Sequence, residues 1–197
     1  MRLIRALKKL KAFQGLTEQE LAWVLYDVGN SAYTMLACSL IPIWFKSIAV
    51  GHAPGQISSD NATAYYSLAV SIVTVAVALL GPVLGALADH KDKKRMYFTS
   101  AAALGMIFCV LTGFAWSWLL FLILFVVTKI CYSASLTIYD SMLGDITTED
   151  RMDEVSSNGF AWGYLGSCIP FLIALIAYVL GPDMVGLIPA LLSRGIG

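Results

Sequence analysis

Three charged residues lie well inside long apolar segments of this sequence, away from the segment ends, where a charged side chain is costly. Asp27 lies in the first of these segments, and Lys129 and Asp140 lie in the fourth. A charge at the centre of a bilayer costs about 2.5–3.5 kcal/mol even on insertion scales. Such residues usually face the protein interior and mark a substrate or ion pathway. They are therefore the first candidates for function.

Each of these charges belongs to a polar helix face. The face on the fourth segment contains Lys129, Ser133, Thr137 and Asp140, and the face on the first contains Asp27, Asn30 and Thr34, with Tyr33 beside it. Spacings of three and four residues place side chains on one side of an α-helix. Two interpretations are open: the two faces line a water-filled cavity, or they form a buried structural network that joins helices.

The depths of the three charges predict which of them meet. A rise of 1.5 Å per residue places Asp27 about 9 Å and Asp140 about 8 Å from the same membrane face, and Lys129 about 24 Å from it. Two carboxylates at one level would not readily both ionise, so they are candidates to share a coupling proton; the alternative is two independently solvated carboxylates. Lys129 is the candidate to bind an anionic substrate group, or else to pair with an acidic residue outside this sequence.

The composition is that of a membrane protein. Hydrophobic residues make up 58% of the chain and charged residues only 13%, whereas soluble domains usually carry about 25% charged residues. The basic residues flank apolar segments, which argues against a nucleic-acid partner. The cysteines and histidines lack metal-ligand spacing, and there is no phosphate-binding loop or nucleophile–base pair. The sequence therefore predicts no enzyme, no cofactor and no metal.

Five segments reach the length of about 20 apolar residues that a membrane-spanning helix needs. They are predicted at residues 21–49, 62–88, 96–115, 118–146 and 159–180, and a sixth apolar run starts at 184–192. Thr17 and Glu20 have the spacing of a capping box, which predicts the start of the first helix. The predicted fold class is an all-α polytopic membrane protein.

The basic residues in the loops predict the orientation. Residues 1–16 contain five Lys or Arg and residues 91–95 contain four, whereas the loops near 50–61, 116–118 and 181–183 contain none. The positive-inside rule then predicts a cytoplasmic N-terminus. We divide the chain into a basic cytoplasmic segment, residues 1–16, and a partial transmembrane bundle, residues 17–197. The basic segment is either an amphipathic helix on the lipid surface or a plain basic tail that sets topology.

A dense charged loop separates the second and third apolar segments. Its candidate gating residues are Gly85, Asp89, Lys93, Lys94 and Arg95. The loop resembles that between the second and third helices of major facilitator superfamily transporters: Gly, three residues, Asp, Arg or Lys, any residue, Gly, then two or three basic residues. Here His90 replaces the first basic residue and Asp92 replaces the second glycine. In that superfamily this loop steadies the outward-open state, so the resemblance implies a gating role.

The first segment has a more specific resemblance. Its matching residues are Trp23, Tyr26, Asp27, Asn30, Ser31, Ala32 and Tyr33. This pattern is similar to the first-helix signature of the vacuolar amino-acid effluxer-like, autophagy-related branch of the superfamily. Residues 42–46 and 159–166 also look like that branch. The resemblance extends over roughly residues 16–182, nearly the whole chain.

The resemblance implies a secondary active transporter with about 12 helices in two halves that works by alternating access. The chain would be the N-terminal half, with five complete helices and the start of a sixth. The family's cavity lies between the halves and is lined here chiefly by the first and fourth helices. The implied partners are membrane lipid, a small-molecule substrate such as an amino acid, and a coupling ion such as the proton. The implied location is a bacterial cell membrane or a fungal vacuolar membrane. The alternative function is a non-transporting membrane fragment or assembly partner.

Overall fold

The computed structural model describes residue 13 and residues 15–51, 54–89 and 93–180, with side chains to residue 178. Its five long helices are α1 Glu18–Ala49, α2 Ser59–Ala88, α3 Lys94–Thr112, α4 Trp118–Ser141 and α5 Met152–Leu180. All five are long and apolar enough to cross a membrane, which confirms the predicted all-α polytopic fold. Residues 1–12, residues 90–92 of the charged loop and the sixth apolar run at 184–192 lie outside the described residues.

Side chains cap the N-terminal ends of several helices. The predicted capping box is confirmed, since Thr17 N–H donates to the Glu20 carboxylate at 2.7 Å and Glu20 N–H donates to the Thr17 hydroxyl at 3.2 Å. Ser58 and Ser117 accept backbone hydrogen bonds in the first turns of α2 and α4. These bonds satisfy N–H groups that have no partner within the helix, and they fix where each helix begins.

The fourth span ends earlier than predicted. The sequence predicts a helix through residue 146, but α4 ends at Ser141 and a separate turn follows at Leu143–Ile146. At Met142 the backbone N–H donates to the Tyr139 carbonyl at 3.0 Å, and the Met142 carbonyl accepts from Asp145 N–H at 3.0 Å. These bonds join residues three apart, as in a 3₁₀-helix, and they interrupt the regular α-helix.

The fifth span begins earlier than predicted. The sequence predicts a span that starts at residue 159, but a 3₁₀ turn at Glu149–Arg151 leads directly into α5 at Met152. Asp153 and Glu154 lie in the first turn of α5, where the helix dipole favours anionic side chains. Hydropathy alone does not predict this start, because polar residues form the first turn of α5 and the apolar segment begins only after them.

The helices form two compact units. The first contains residues 1–40 and 149–197, and the second contains residues 41–148. In the first unit, α1 lies against Gly159, Gly163 and Gly166 of α5. A Cβ added to Gly159 would lie 2.6 Å from the Trp23 ring, and one added to Gly166 would lie 2.5 Å from a Val28 methyl group. Glycine thus lets the two backbones approach closely, as small residues do between membrane helices.

The second unit is held by an aromatic core. Phe45 at the end of α1 and Phe121 on α4 are fully buried, with ring centroids 5.5 Å apart. The ring centroid of Tyr66 on α2 lies 5.6 Å from that of Phe45 and 5.2 Å from that of Phe125. Trp118 Nε1–H donates to the Gly55 carbonyl at 2.9 Å and ties the loop before α2 to the start of α4. Aromatic packing of this kind fixes α2 and α4 side by side.

Candidate functional site

Asp27 lies in the contact between α1 and α5 in the first unit. Its side chain is buried, with an exposed fraction of 8% for the residue. A Cβ added to Gly163 would lie 2.6 Å from Asp27 Oδ2 and 2.9 Å from the Ser31 hydroxyl oxygen. The carboxylate therefore lies directly against the backbone of α5. The side chain of Asn30, one turn along α1, hydrogen bonds to Asp27.

The rest of the polar face on α1 has a more open environment. Asn30 and Tyr33 are half-buried and Thr34 is exposed. The Thr34 hydroxyl donates to the Asn30 backbone carbonyl at 3.2 Å. The Asn30 amide oxygen is buried and, within the described part of the chain, has no hydrogen-bond partner. The face therefore combines a packed carboxylate with an amide acceptor that still has hydrogen-bonding capacity.

Lys129 lines a cavity of about 340 Å³ between α2 and α4 in the second unit. The residues around this cavity are Val70, Val73, Thr74, Val77, Phe125, Lys129 and Ser133. The Lys129 ammonium nitrogen lies 5.1 Å from the centroid of the Tyr132 ring, within the range of a cation–π interaction. The cavity thus has a cationic group and two hydroxyl groups set in an otherwise apolar wall.

The polar face on α4 divides between this cavity and the end of the helix. Lys129 and Ser133 line the cavity, and the Thr137 hydroxyl donates to the Ser133 carbonyl at 3.0 Å. Asp140 is exposed near the end of α4. Asp27 belongs to the first compact unit and Asp140 to the second, and their pairing stays a prediction.

The α2 side of the cavity is not evident from the sequence. Val70, Val73, Thr74 and Val77 have the i, i+3, i+4, i+7 spacing of one helix face. From residue 68 to the end of α2 nearly every position is apolar, however, so this face does not stand out from its neighbours. Thr74 is the one polar residue among the α2 residues that line the cavity, and it was too weak a signal by itself.

The predicted gating residues lie at the ends of α2 and α3. Asp89 directly follows α2 and is exposed, and its backbone N–H donates to the Gly85 carbonyl at 3.1 Å. Lys93 and Arg95 are also exposed, whereas Lys94 between them is buried, with an exposed fraction of 8%. The three consecutive basic residues therefore have different environments, and only Lys94 is buried in the second unit.

Lys94 joins the start of α3 to the end of α4. Its ammonium group lies 2.5 Å from the Asp145 carboxylate and donates to the Ser141 carbonyl at 3.2 Å. The break in α4 described above places Asp145 in the turn that follows the helix, within reach of Lys94. The sequence marks Lys94 as a candidate gating residue but gives no sign that Asp145 is its partner.

A second ion pair, which the sequence also does not reveal, joins the two chain segments of the first unit. Arg151 Nη1 lies 3.2 Å from Glu20 Oε1, whose side chain is only 2% exposed. Arg151 Nη2 also donates to the Gly15 carbonyl at 2.7 Å, and the Phe13 ring lies 4.8 Å from that of Trp162. The capping-box glutamate therefore also anchors the start of α5. Over the described ranges, no group of His, Cys, Asp or Glu residues is arranged to hold a metal ion.

Comparison with known proteins identifies the family. Residues 28–193 match the Major Facilitator Superfamily. The chain belongs to the major facilitator superfamily. It is 38% identical over 167 residues to the uncharacterized MFS-type transporter YxiO of Bacillus subtilis (strain 168), an alignment that covers 83% of this chain and 38% of that protein. The chain therefore spans about 38% of the length of this relative. No solved structure matches.

Membership in the major facilitator superfamily confirms, at the level of the superfamily, the resemblance noted in the charged loop. It also agrees with five apolar helices, and together these observations identify an integral membrane protein. The departures at positions 90 and 92 from the superfamily's loop pattern are thus variations within the family. Lys94, one of the positions that match the superfamily's loop pattern, is buried and forms an ion pair with Asp145.

Proposed function

We propose that this chain is the N-terminal portion of a secondary active transporter that moves small carboxylate-bearing solutes, chiefly amino acids, by alternating access. The observation that carries the proposal is the cavity at Lys129, in a chain of the major facilitator superfamily. The volume of about 340 Å³ lies at the lower end of the range for small-molecule sites. The relative YxiO, named an MFS-type transporter, supports transport as the activity.

Lys129 is proposed to bind the carboxylate of the solute. Lys129 lies midway along α4, Trp118–Ser141, and transporter sites usually lie near the membrane middle. A cation in a mostly apolar wall attracts an anionic group more strongly than it would in water, because the local dielectric constant is lower. The first-helix residues that resemble the amino-acid effluxer branch favour an amino acid over other carboxylates.

The coupling ion is proposed to be a proton carried by Asp27 and Asp140. Asp27 is buried beside Asn30, and Asp140 is exposed on the helix that carries Lys129. Replacement of a proton-carrying carboxylate by an amide removes its titration. Asp27→Asn and Asp140→Asn should therefore each change the pH dependence of transport, measured as initial uptake between about pH 5 and 8. Unchanged profiles in both variants would exclude proton coupling through this pair.

The charged loop between α2 and α3 is proposed to gate the cavity from the cytoplasmic side, with the N-terminus cytoplasmic. The Lys94–Asp145 pair fixes the start of α3, while Asp89 is exposed and able to make contacts that change during transport. Asp89→Asn should slow turnover at unchanged protein abundance. An impermeant thiol reagent should label a cysteine placed at position 92 only from the cytoplasmic side; labelling from outside would reverse the topology.

The decisive experiment is solute uptake by the full-length protein in proteoliposomes, against a panel of amino acids, with and without an imposed pH gradient. Lys129→Gln should raise the half-saturating solute concentration by about tenfold or more, since one lost charged contact is worth at least about 1.4 kcal/mol. Lys129→Arg should retain part of the affinity. Lys46→Gln, which removes an exposed lysine near the end of α1, is the matched control and should leave uptake unchanged.

Two outcomes would contradict this proposal. Loss of folded protein in Lys129→Gln, with unchanged affinity in the surviving fraction, would make Lys129 a structural residue. Absence of uptake or exchange for every carboxylate solute by folded wild-type protein would favour the assembly-partner reading, in which the polar faces bind another protein chain.

A further inference from the structure

We propose that Asp27, Asn30 and Ser31 form a binding site for Na⁺ where α1 contacts α5 in the first unit. The ligands are the Asp27 carboxylate, the Asn30 amide oxygen and the Ser31 hydroxyl oxygen, from adjacent turns of α1. This inference goes beyond the proposed function, because a proton on Asp27 needs the carboxylate alone. A hard metal cation instead needs several oxygen ligands around it.

The Asp27 carboxylate needs a counter-charge. The residue is only 8% exposed, and a carboxylate is stable in such a place when it is protonated, paired or bound to a metal ion. None of the ion pairs in the described part of the chain includes Asp27. Its hydrogen bond from Asn30 comes from a neutral amide group. A bound cation therefore supplies the charge that these neighbours do not.

The Ser31 hydroxyl lies beside this carboxylate. The spacing of four residues places Asp27 and Ser31 on the same face of α1. A Cβ added to Gly163 would lie 2.6 Å from Asp27 Oδ2 and 2.9 Å from Ser31 Oγ, so both oxygen atoms lie close to one point on α5. Two of the three proposed ligands are thus already adjacent, and little rearrangement is needed for both to contact one ion.

Asn30 provides the third oxygen atom. Its amide oxygen is buried and, among the described residues, has no hydrogen-bond partner, which is costly for an acceptor. A half-turn of the amide group exchanges its nitrogen and oxygen, and this terminal bond rotates readily. Asn30 can therefore donate an N–H bond to a free carboxylate, as it does here, or direct its oxygen to a cation bound at Asp27.

The ligand set favours a small monovalent cation. One carboxylate and two neutral oxygen atoms balance a single positive charge. Ca²⁺ takes about six to eight oxygen ligands, and Mg²⁺ loses its water reluctantly, so neither suits a carboxylate packed against a helix backbone. The close contact at Gly163 also favours Na⁺ over the larger K⁺. Asn30 and Ser31 are only half-buried, so water can complete the coordination.

The test is Na⁺ binding to the purified full-length protein in detergent. Binding of radioactive Na⁺ is measured directly, and melting temperatures are compared in NaCl, KCl and choline chloride at one ionic strength, because an ion that binds the folded state stabilises it. The wild type should bind Na⁺ and melt at the highest temperature in NaCl. Asp27→Asn should abolish both effects.

The contribution of the hydroxyl group is measured with two serine variants of α1. Ser31→Ala should weaken Na⁺ binding by about tenfold, the effect of losing one hydrogen-bond-like contact to a charged group. Ser39→Ala is the matched control, because the Ser39 hydroxyl already donates to the Met35 carbonyl at 2.5 Å. Its Na⁺ affinity should equal that of the wild type. If Asp27→Asn does not fold, these two variants still decide whether the site exists.

Several outcomes would overturn the Na⁺ site. Equal melting temperatures in the three salts, without binding of radioactive Na⁺, would exclude it. Na⁺ binding that persists in Asp27→Asn would place the ion elsewhere, and equal affinities of Ser31→Ala and Ser39→Ala would remove Ser31 from the site. Each of these results leaves the proposed function standing, since Lys129→Gln tests that function by solute uptake. Conversely, Na⁺ binding by a protein that takes up no carboxylate solute would support the ion site and remove the proposed function.

Discussion

Asp27 and Lys129 are both ionisable residues within long apolar helices, yet their surroundings differ. Asp27 is packed against the backbone of α5 at Gly163, within one compact unit. Lys129 lines a cavity of about 340 Å³ in the other unit. The same sequence signal, a charge inside a span, therefore indicates a closed helix contact in one unit and an open cavity in the other.

The residues on the facing helix decide between these two environments. Opposite Asp27 the facing residue is a glycine, which lets two helix backbones approach closely. Opposite Lys129 the facing residues are valines and a threonine on α2, whose side chains keep α2 from closing on the lysine. A charge is thus interpreted correctly only together with the sizes of the residues that face it.

The ion pairs of the two units also differ in burial, and again the first unit has the less exposed group. In the first unit the Glu20 side chain is 2% exposed and its partner Arg151 is 33% exposed. In the second unit the Lys94 side chain is 10% exposed and its partner Asp145 is 37% exposed. The pair in the first unit is therefore more completely removed from solvent, and we expect its disruption to cost more stability.

The largest expected effect is at Arg151. Arg151→Met removes the ion-pair partner of a carboxylate that is almost fully buried, and it should lower the free energy of unfolding by about 3–5 kcal/mol. Glu20→Gln should cost less, because glutamine can still accept the Thr17 N–H bond. SDS titration of purified protein in mixed micelles measures both, and the double variant gives the coupling energy. Arg95→Met, at an exposed basic residue at the start of α3, is the control. Equal losses in Arg151→Met and Arg95→Met would show that the buried pair has no special weight.

A smaller effect is expected at Gly163. A Cβ there would lie 2.6 Å from Asp27 Oδ2, so Gly163→Ala must displace the carboxylate or separate α1 from α5. Such overpacking should cost about 1–3 kcal/mol in the same SDS titration. Gly29→Ala is the matched control, because a Cβ at this α1 position meets no atom within 4 Å. It should be neutral or slightly stabilising. If the two variants behave alike, the glycine contact does not close the helices around Asp27.

The sequence predicts the helices and the capping box well but not the contacts between distant segments. Long apolar runs and the Thr17–Glu20 spacing carry local information, so α1 to α5 and the first cap appear in the structure as predicted. The end of α4 and the start of α5 differ because hydrogen bonding at Met142 and polar residues after position 151 outweigh hydropathy there. The Lys94–Asp145 and Glu20–Arg151 pairs join residues that are far apart in the chain. Local spacing therefore predicts neither pair.

The candidate site shows the same limit. Lys129 stands out because charged residues are rare in α4, and Ser133 lies one turn from it on the same face. The valine wall of α2 is indistinguishable from the other apolar residues around it. Only packing selects which face of a uniformly apolar helix borders a cavity. For that reason the cation of the site was predictable and its apolar half was not.

The smallest expected effect is at the Lys94–Asp145 pair. Asp145 is 37% exposed, so water screens the pair and replaces part of what a variant removes. Lys94→Gln, Asp145→Asn and the double variant should give a coupling energy of about 1 kcal/mol, clearly below that of Glu20 and Arg151. The Ser141 carbonyl, 3.2 Å from the Lys94 ammonium, remains as a partner in Asp145→Asn and limits the loss further. A coupling energy equal to or larger than that of the Glu20–Arg151 cycle would contradict the contrast between a closed and an open unit, because burial would then not set the strength of either pair.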